Sequence, residues 1–384
     1  MESKKIKICI WMNIPSHHQS AFFDKLSEEE FIDLEVRYFH RDLDERTLEG
    51  WVSAHRLRVF EQYVDNCASV GDMISTVYNA ESRVHITSSS FSSELINYFS
   101  KNNYIWCEWS ECFGVNFAKK IKYNRFAFKL LESFLFILKR QQYSIVRNHS
   151  LGCFSQGVLS QKSFGRVGID KRKISDLFYT PAPLVPLPAD QDIVNFANGR
   201  SVFLCVSALC VRKGIDILIK AFSKLQTHDW VLVLVGVDKN NGYYQRLCRE
   251  LGIQHLVFFA GKREVREIAS VYTASDVFVL PTRFDGWGAV LNEAASLGLP
   301  LISTDMCGGA WHLIEHNVNG YRVRADSVSA LLEALEKYVK NRDAIIIHSS
   351  KTKEIYFDNF LPQHNVKRLL AGIEKFKGNR IKND

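Results

Sequence analysis

The chain has 384 residues, 46% hydrophobic and 24% charged, and its 49 Lys+Arg against 42 Asp+Glu leave a formal net charge of +7. This composition excludes a disordered chain, a collagen-like repeat and a coiled coil. The length suggests two domains, with room for a third, and the mild positive balance would suit an anionic ligand or membrane surface without identifying either.

Residues 1–5 run straight into a strand-like segment at 6–12, with no secretory-leader pattern. Runs at 34–39, 84–87, 104–109 and 144–147 read as further strands with helical stretches between them. They predict a Rossmann-like domain over 1–180. The longest apolar-rich stretch, 126–138, is too short to span a bilayer and carries Lys129 and Glu132. A cytoplasmic location is therefore expected. Four of the eight prolines fall within 180–188, which predicts an extended linker over 181–198.

The second half alternates more sharply. Strands are predicted at 201–206, 230–235, 255–259, 276–280 and 300–303, and helices at 214–225, 243–251, 265–274 and 288–297. Strands apolar on both faces belong to a parallel sheet covered by helices on each side. Residues 199–356 are thus expected to form a doubly wound α/β domain, with ligands at the carboxyl ends of its strands. The stretch 344–377 reads as one or two helices, and about 357–384 is expected to pack back on the first domain. The nine cysteines include no C-x-x-C pair, which favours reduced, buried thiols over a structural zinc site.

Two strand-to-helix junctions carry candidate chemistry. In Asp285-Gly-Trp-Gly-Ala-Val-Leu-Asn-Glu293-Ala, Gly286 and Gly288 let the backbone amides of Gly286, Trp287 and Gly288 approach an anion closely. Glu293 shares a helix face with Val290 and Leu297, so its carboxylate needs a hydrogen-bonding partner. A sugar or ribose diol would serve, as would backbone amides or a nearby Arg. In Val206-Ser-Ala-Leu-Cys-Val-Arg212-Lys213-Gly214, two cations open a helix, where the dipole disfavours them unless an anion is present. No G-x-G-x-x-G follows any strand, which argues against a dinucleotide dehydrogenase.

Over about residues 200–340 these segments resemble the retaining glycosyltransferases of the GT-B fold, in particular family 4. The family's acid-x7-acid pattern matches Asp285 and Glu293, and its strand-to-helix Lys-Gly matches Lys213-Gly214. Gly236, Lys262, Gly298–Asp305 and Asn319-Gly320 fall in step with it. The resemblance implies two Rossmann-like domains facing across a cleft, with acceptor on the first and nucleotide-sugar donor on the second. Glu293 would bind the ribose hydroxyls and Asp285 hydroxyls of the transferred sugar, while Lys213 would stabilise the departing diphosphate. Arg212, Gly236 and Lys262 complete the implied donor side. One position departs: the family's Arg five residues before the Lys is Ala208 here.

In the first half, Asn13, His17 and His18 follow the first strand, where the resemblance places a loop near donor and acceptor. The histidines could contact phosphate or an acceptor hydroxyl, or follow a helix-capping Ser16. Glu111 is the candidate carboxylate on the acceptor side, or a Glu favoured by a helix dipole. Asp42 and Asp44 have the Asp-x-Asp form of a metal site, but the donor site is accounted for without metal, so neither metal nor cofactor is expected. The basic, aromatic stretch 119–140 would touch anionic headgroups if the acceptor is lipid-linked, or pack as an ordinary amphipathic helix.

The implied function is sugar transfer from a nucleotide diphosphate sugar to a glycan or lipid-linked glycan in cell-surface polysaccharide or lipopolysaccharide assembly. No nucleic-acid partner is implied. A nucleotide-sugar 2-epimerase of the same fold and a non-catalytic sugar-nucleotide binder are the alternatives, the latter made conceivable by Ala208.

Overall fold

The computed structural model describes residues 5–41, 56–114 and 125–381, with the backbone alone for 125–130 and 381. Asp42, Asp44 and the start of the 119–140 stretch lie outside the described residues. The chain forms two compact units, one from Met1–Phe113, Leu131–Ala182 and Pro362–Asp384, the other built on Pro183–Leu361.

The first unit holds seven parallel strands: β1 (Ile6–Met12), β2 (Ile32–Tyr38), β3 (Glu61–Tyr63), β4 (Val84–Thr87), β5 (Ile105–Ser110), β6 (Gly152–Ser155) and β7 (Ile174–Asp176). Their spatial order is β3-β2-β1-β4-β5-β6-β7. Strand β1 shows why this sheet is two-sided. Ile8, Ile10 and Met12 face a core shared with Val366, Leu369, Ile373 and Phe376 of the helix Pro362–Ile381. Cys9 and Trp11 face the opposite core with Leu95, Phe99 and Phe164. The helix Pro362–Ile381 is pinned by Asn365, whose side chain accepts from the Phe178 amide at 3.0 Å and donates to its carbonyl at 2.8 Å.

Two expectations are corrected. Residues 144–147 form no strand but belong to the helix Ser144–His149. Their amides bond back along the chain, as in Arg147 N to Tyr143 O at 3.0 Å. A short apolar run has too few residues for its period to tell helix from strand. The sheet position is taken by β6 instead. The segment read as linker also carries a helix, Gln191–Ala197, capped by Asp190, whose carboxylate accepts from the amides of Asp192 and Ile193. The two edge strands β3 and β7, three residues each, are too short to register as periodic runs.

A buried histidine gives the first unit an acid-sensitive joint. Trp11 Nε1 donates to His85 Nδ1 at 3.0 Å, and His85 Nε2 lies 2.9 Å from the Ala80 carbonyl. This pattern requires the neutral ring, and burial pushes its pKa from the ordinary 6.5 down to about 4. Between those values the unfolded chain binds a proton that the native chain refuses, so stability falls as pH drops through that window. The loss should approach ~3 kcal/mol near pH 4. Urea unfolding at pH 7 and pH 5 should show the loss in the wild type and a reduced loss in His85→Gln.

The second unit holds β8 (Ser201–Val206), β9 (Trp230–Val235), β10 (Val257–Gly261), β11 (Val277–Leu280), β12 (Leu301–Thr304) and β13 (Gly320–Val323). All pairings are parallel, in the order β10-β9-β8-β11-β12-β13. The order reverses between β8 and β11. In such sheets the crevice outside the carboxyl ends at that reversal is where ligands bind.

Candidate active site

The two junctions singled out in the sequence are those that flank the reversal. After β8 the chain makes a 3₁₀ turn, Val211–Lys213, and enters the helix Ile215–Phe222 through Gly214. Gly214 has φ +69°, and a Cβ there would sit 2.2 Å from the Pro281 carbonyl. Only glycine lets this turn lie directly on the end of β11. Arg283 N donates to Arg212 O at 2.8 Å, and Thr282 Oγ1 to the same carbonyl at 3.0 Å.

The loop after β11 is held from its other side by the segment after β12. Asp285 N donates to Met306 O at 3.0 Å, Gly308 N to Asp285 O at 3.1 Å, and Gly309 N to Trp287 O at 2.7 Å. Gly288, at φ +82°, leaves room for Cys307 Sγ, which a Cβ would approach to 2.6 Å. The Trp287 ring is an anchor in the protein interior. It is buried, its Nε1 donates to Asn292 Oδ1 at 2.8 Å, and it stacks on His312. Its amide bonds to the Asp285 carboxylate.

These contacts bring Asp285 and the two cations together. Lys213 Nζ lies 2.5 Å and Arg212 Nη1 3.6 Å from Asp285 Oδ2. Burial alone would raise the Asp285 pKa, but Lys213 and Arg212 hold it below the usual carboxylate range. Glu293, on the helix Val290–Ser296, is treated oppositely. Burial raises its pKa to about 7, only partly offset by the Tyr272 hydroxyl, which donates to its Oε2 at 2.7 Å. One carboxylate is held ionised by cations, and the other is pushed by burial towards its neutral form. Divergent environments of this kind mark binding or catalytic carboxyl groups.

The remaining residues that the resemblance would put on a donor side lie at carboxyl ends of the same sheet. Gly236 ends β9 at φ +140°, with a hypothetical Cβ 1.9 Å from the Ser207 carbonyl, so its glycine is required by close backbone approach. Lys262 is exposed just beyond β10. Ala208 follows β8, and Arg212 is the second cation on this side.

Asn13, His17, His18 and Glu111 lie in the first unit, at the carboxyl edge of its sheet. Asn13 follows β1, and Glu111 follows β5. Ser16 caps the helix His17–Ser27, accepting from the His18 amide, so both histidines stand in that helix's first turn with ring centroids 3.8 Å apart. The sequence reading passed over Glu108, which is fully buried in β5. It accepts from the Ser89 amide at 2.9 Å, from Ser89 Oγ at 2.9 Å and from Ser110 Oγ at 2.5 Å. Burial raises its pKa against those donors. The available signal was a lone charge inside an otherwise apolar strand run, which requires partners. Tyr272, Asp216 and Arg283 were also passed over.

Residues 188–355 match the family described as glycosyl transferases group 1. The chain's two parallel Rossmann-like sheets are those of the GT-B fold. Among similar proteins is an uncharacterized glycosyltransferase of Methanocaldococcus jannaschii, 31% identical over 41% of this chain and 46% of that protein. Lipopolysaccharide glucosyltransferase WaaG of Escherichia coli is 31% identical over 39% of this chain and 41% of that protein. Among solved structures, Anabaena HepE in complex with UDP superposes with a TM-score of 0.72 at 15% identity, covering 96% of this chain and 100% of that one. The chain spans about half the length of the curated relatives it matches.

Proposed function

We propose that this protein transfers a sugar from a nucleotide diphosphate sugar to a hydroxyl of a glycan or lipid-linked glycan, with retention of anomeric configuration, in cell-surface polysaccharide assembly. The observation that carries the reading is the grouping of Lys213, Arg212 and Asp285 at the strand-order reversal, with Glu293 on the helix that follows the Asp285 loop. In this reading Glu293 holds the ribose hydroxyls and Asp285 the sugar hydroxyls. The bond from the anomeric carbon to the β-phosphate oxygen breaks as the acceptor oxygen bonds to that carbon on the same face. The acceptor's proton passes to the departing diphosphate, whose charge meets Lys213 and Arg212 without metal or cofactor. Asn13, His17, His18 and Glu111 are assigned to the acceptor side.

The names of similar proteins supply the first donors to try. HepE is described in complex with UDP-glucose, and a Mycolicibacterium smegmatis relative is named a GDP-mannose-dependent mannosyltransferase. A donor at 100 times its dissociation constant should add ~2.7 kcal/mol of stability. A flat thermal-shift response to UDP-, GDP-, ADP- and dTDP-sugars would reject the proposal. Donor conversion without any acceptor would turn it towards epimerase chemistry, and binding without turnover towards a non-catalytic sugar-nucleotide binder.

Peripheral membrane association belongs to the same reading. Among the described residues no helix is long and apolar enough to cross a membrane. The helix Arg125–Gln142, however, exposes Leu131, Phe134, Ile137 and Leu138 (44, 62, 67 and 47%) beside Lys139 and Arg140. An apolar stripe edged with cations suits an anionic lipid surface. The full chain should co-sediment with phosphatidylglycerol vesicles more than with phosphatidylcholine vesicles, and Phe134→Glu with Ile137→Glu should remove most of that binding.

A further inference from the structure

The two cations on Asp285 come from the junction after β8, and Asp285 itself from the junction after β11. Their alignment depends on whatever locks these junctions together. Arg283 is placed to do so. Its Nη1 and Nη2 lie 2.8 Å from Oδ1 and Oδ2 of Asp216, the second residue of the helix Ile215–Phe222. Nη1 also donates to the Val211 carbonyl at 2.7 Å, inside the turn that carries Arg212 and Lys213. Nε donates to Asp326 Oδ1 at 2.7 Å, on the segment after β13, where Asp326 adopts φ +57°. The Arg283 and Asp216 side chains are only 11% and 15% exposed, so the fork is shielded from competing water. A bidentate guanidinium–carboxylate pair fixes direction as well as distance, which a lysine does not reproduce.

We infer that Arg283 is the positioning residue of the donor site: by clamping Asp216, Val211 and Asp326 it holds the Arg212–Lys213 turn in register with the Asp285 loop. It acts through Lys213 and Arg212, so its removal weakens recognition of the second phosphate while leaving contacts to the nucleoside intact. The inference rests on the donor site proposed above.

The test uses the full chain as wild type, Arg283→Gln and Arg283→Lys. Dissociation constants are measured for UDP and UMP, and for GDP and GMP. Hydrogen exchange is followed over 211–216 and 281–288. In Arg283→Gln the diphosphate constant is expected to rise about tenfold or more with the monophosphate constant within about twofold, and both segments should lose protection together. Arg283→Lys should recover part of each effect, which also covers the case in which the glutamine variant folds poorly. An unchanged diphosphate-to-monophosphate ratio, or lost protection confined to 281–288, overturns the inference. Should the wild type itself show no preference for diphosphate, the phosphate site fails as a reading. The clamp is then judged by exchange alone, with joint loss of protection supporting it and loss in one segment only refuting it.

Discussion

Glu293→Gln is expected to lower kcat/KM for the sugar donor by about two to four orders of magnitude while the protein stays folded. Hydrogen bonds to a charged group contribute about 1.5–3 kcal/mol each, and the proposed role gives Glu293 two of them, to the ribose diol. The glutamine oxygen can still accept from the Tyr272 hydroxyl, so the penalty for an unsatisfied buried phenol is avoided. The pH dependence separates this role from a purely structural one. Burial raises the Glu293 pKa to about 7. Only the ionised carboxylate accepts from both hydroxyls, so donor affinity in the wild type should rise between pH 6 and pH 8, as the ionised fraction climbs from about a tenth to about nine tenths. Glu293→Gln should be flat across that range. Isothermal titration with UDP-glucose or GDP-mannose at three pH values would show it, and a variant as active as the wild type would remove Glu293 from the donor site.

Lys213→Ala should cost about 10²–10³ in kcat, with a smaller change in donor KM. Charge on the leaving diphosphate grows toward the transition state, so a preorganised cation beside it acts mainly there. The variant has a second consequence inside the free site. Asp285 keeps Arg212, 3.6 Å away, and the Trp287 amide, so the balance that holds its pKa low shifts towards burial and its carboxyl becomes easier to protonate. Adding Asp285→Asn to Lys213→Ala should then cost less than the two single losses multiplied, because the residues act as a coupled pair. Steady-state kinetics on the four proteins of this cycle gives the coupling directly, and multiplicative losses would show that the contact between the two side chains has no functional weight.

What could be read from the chain follows from the kind of signal each feature leaves. The strands of the second unit are short, β-branched runs apolar on both faces, such as Trp230–Val235 closed by Gly236, and they alternate with helical stretches as a covered parallel sheet requires. Asp285, Gly286, Gly288 and Glu293 sit within nine consecutive residues, so their grouping survives as a local motif. The clamp does not. Arg283, Asp216 and Asp326 are separated by 67 and 43 positions, and none breaks a periodic pattern where it stands. Glu108 and Tyr143 are similarly distant, and their meeting depends on a fold that brings β5 beside the helix Arg125–Gln142 and the residue that follows it. The helix at 144–149 was hidden for another reason. Ser-Ile-Val-Arg is short and β-branched at its centre, which suits a strand locally, and packing of Val146 in the first unit's core outweighs that preference.

The return of Pro362–Ile381 into the first unit has a bearing on how the protein is made. A ribosome releases Val366, Leu369, Ile373 and Phe376 only after all of Pro183–Leu361 has emerged. The half that is synthesised first therefore becomes whole last, with one face of its sheet covered only in part, by Phe22, Phe23 and Leu26 of the helix His17–Ser27, throughout elongation. Long-range closure of this kind slows folding and leaves apolar surface open to aggregation. Nascent chains stalled before residue 362 would thus be natural clients for chaperones that shield a partly covered β-sheet.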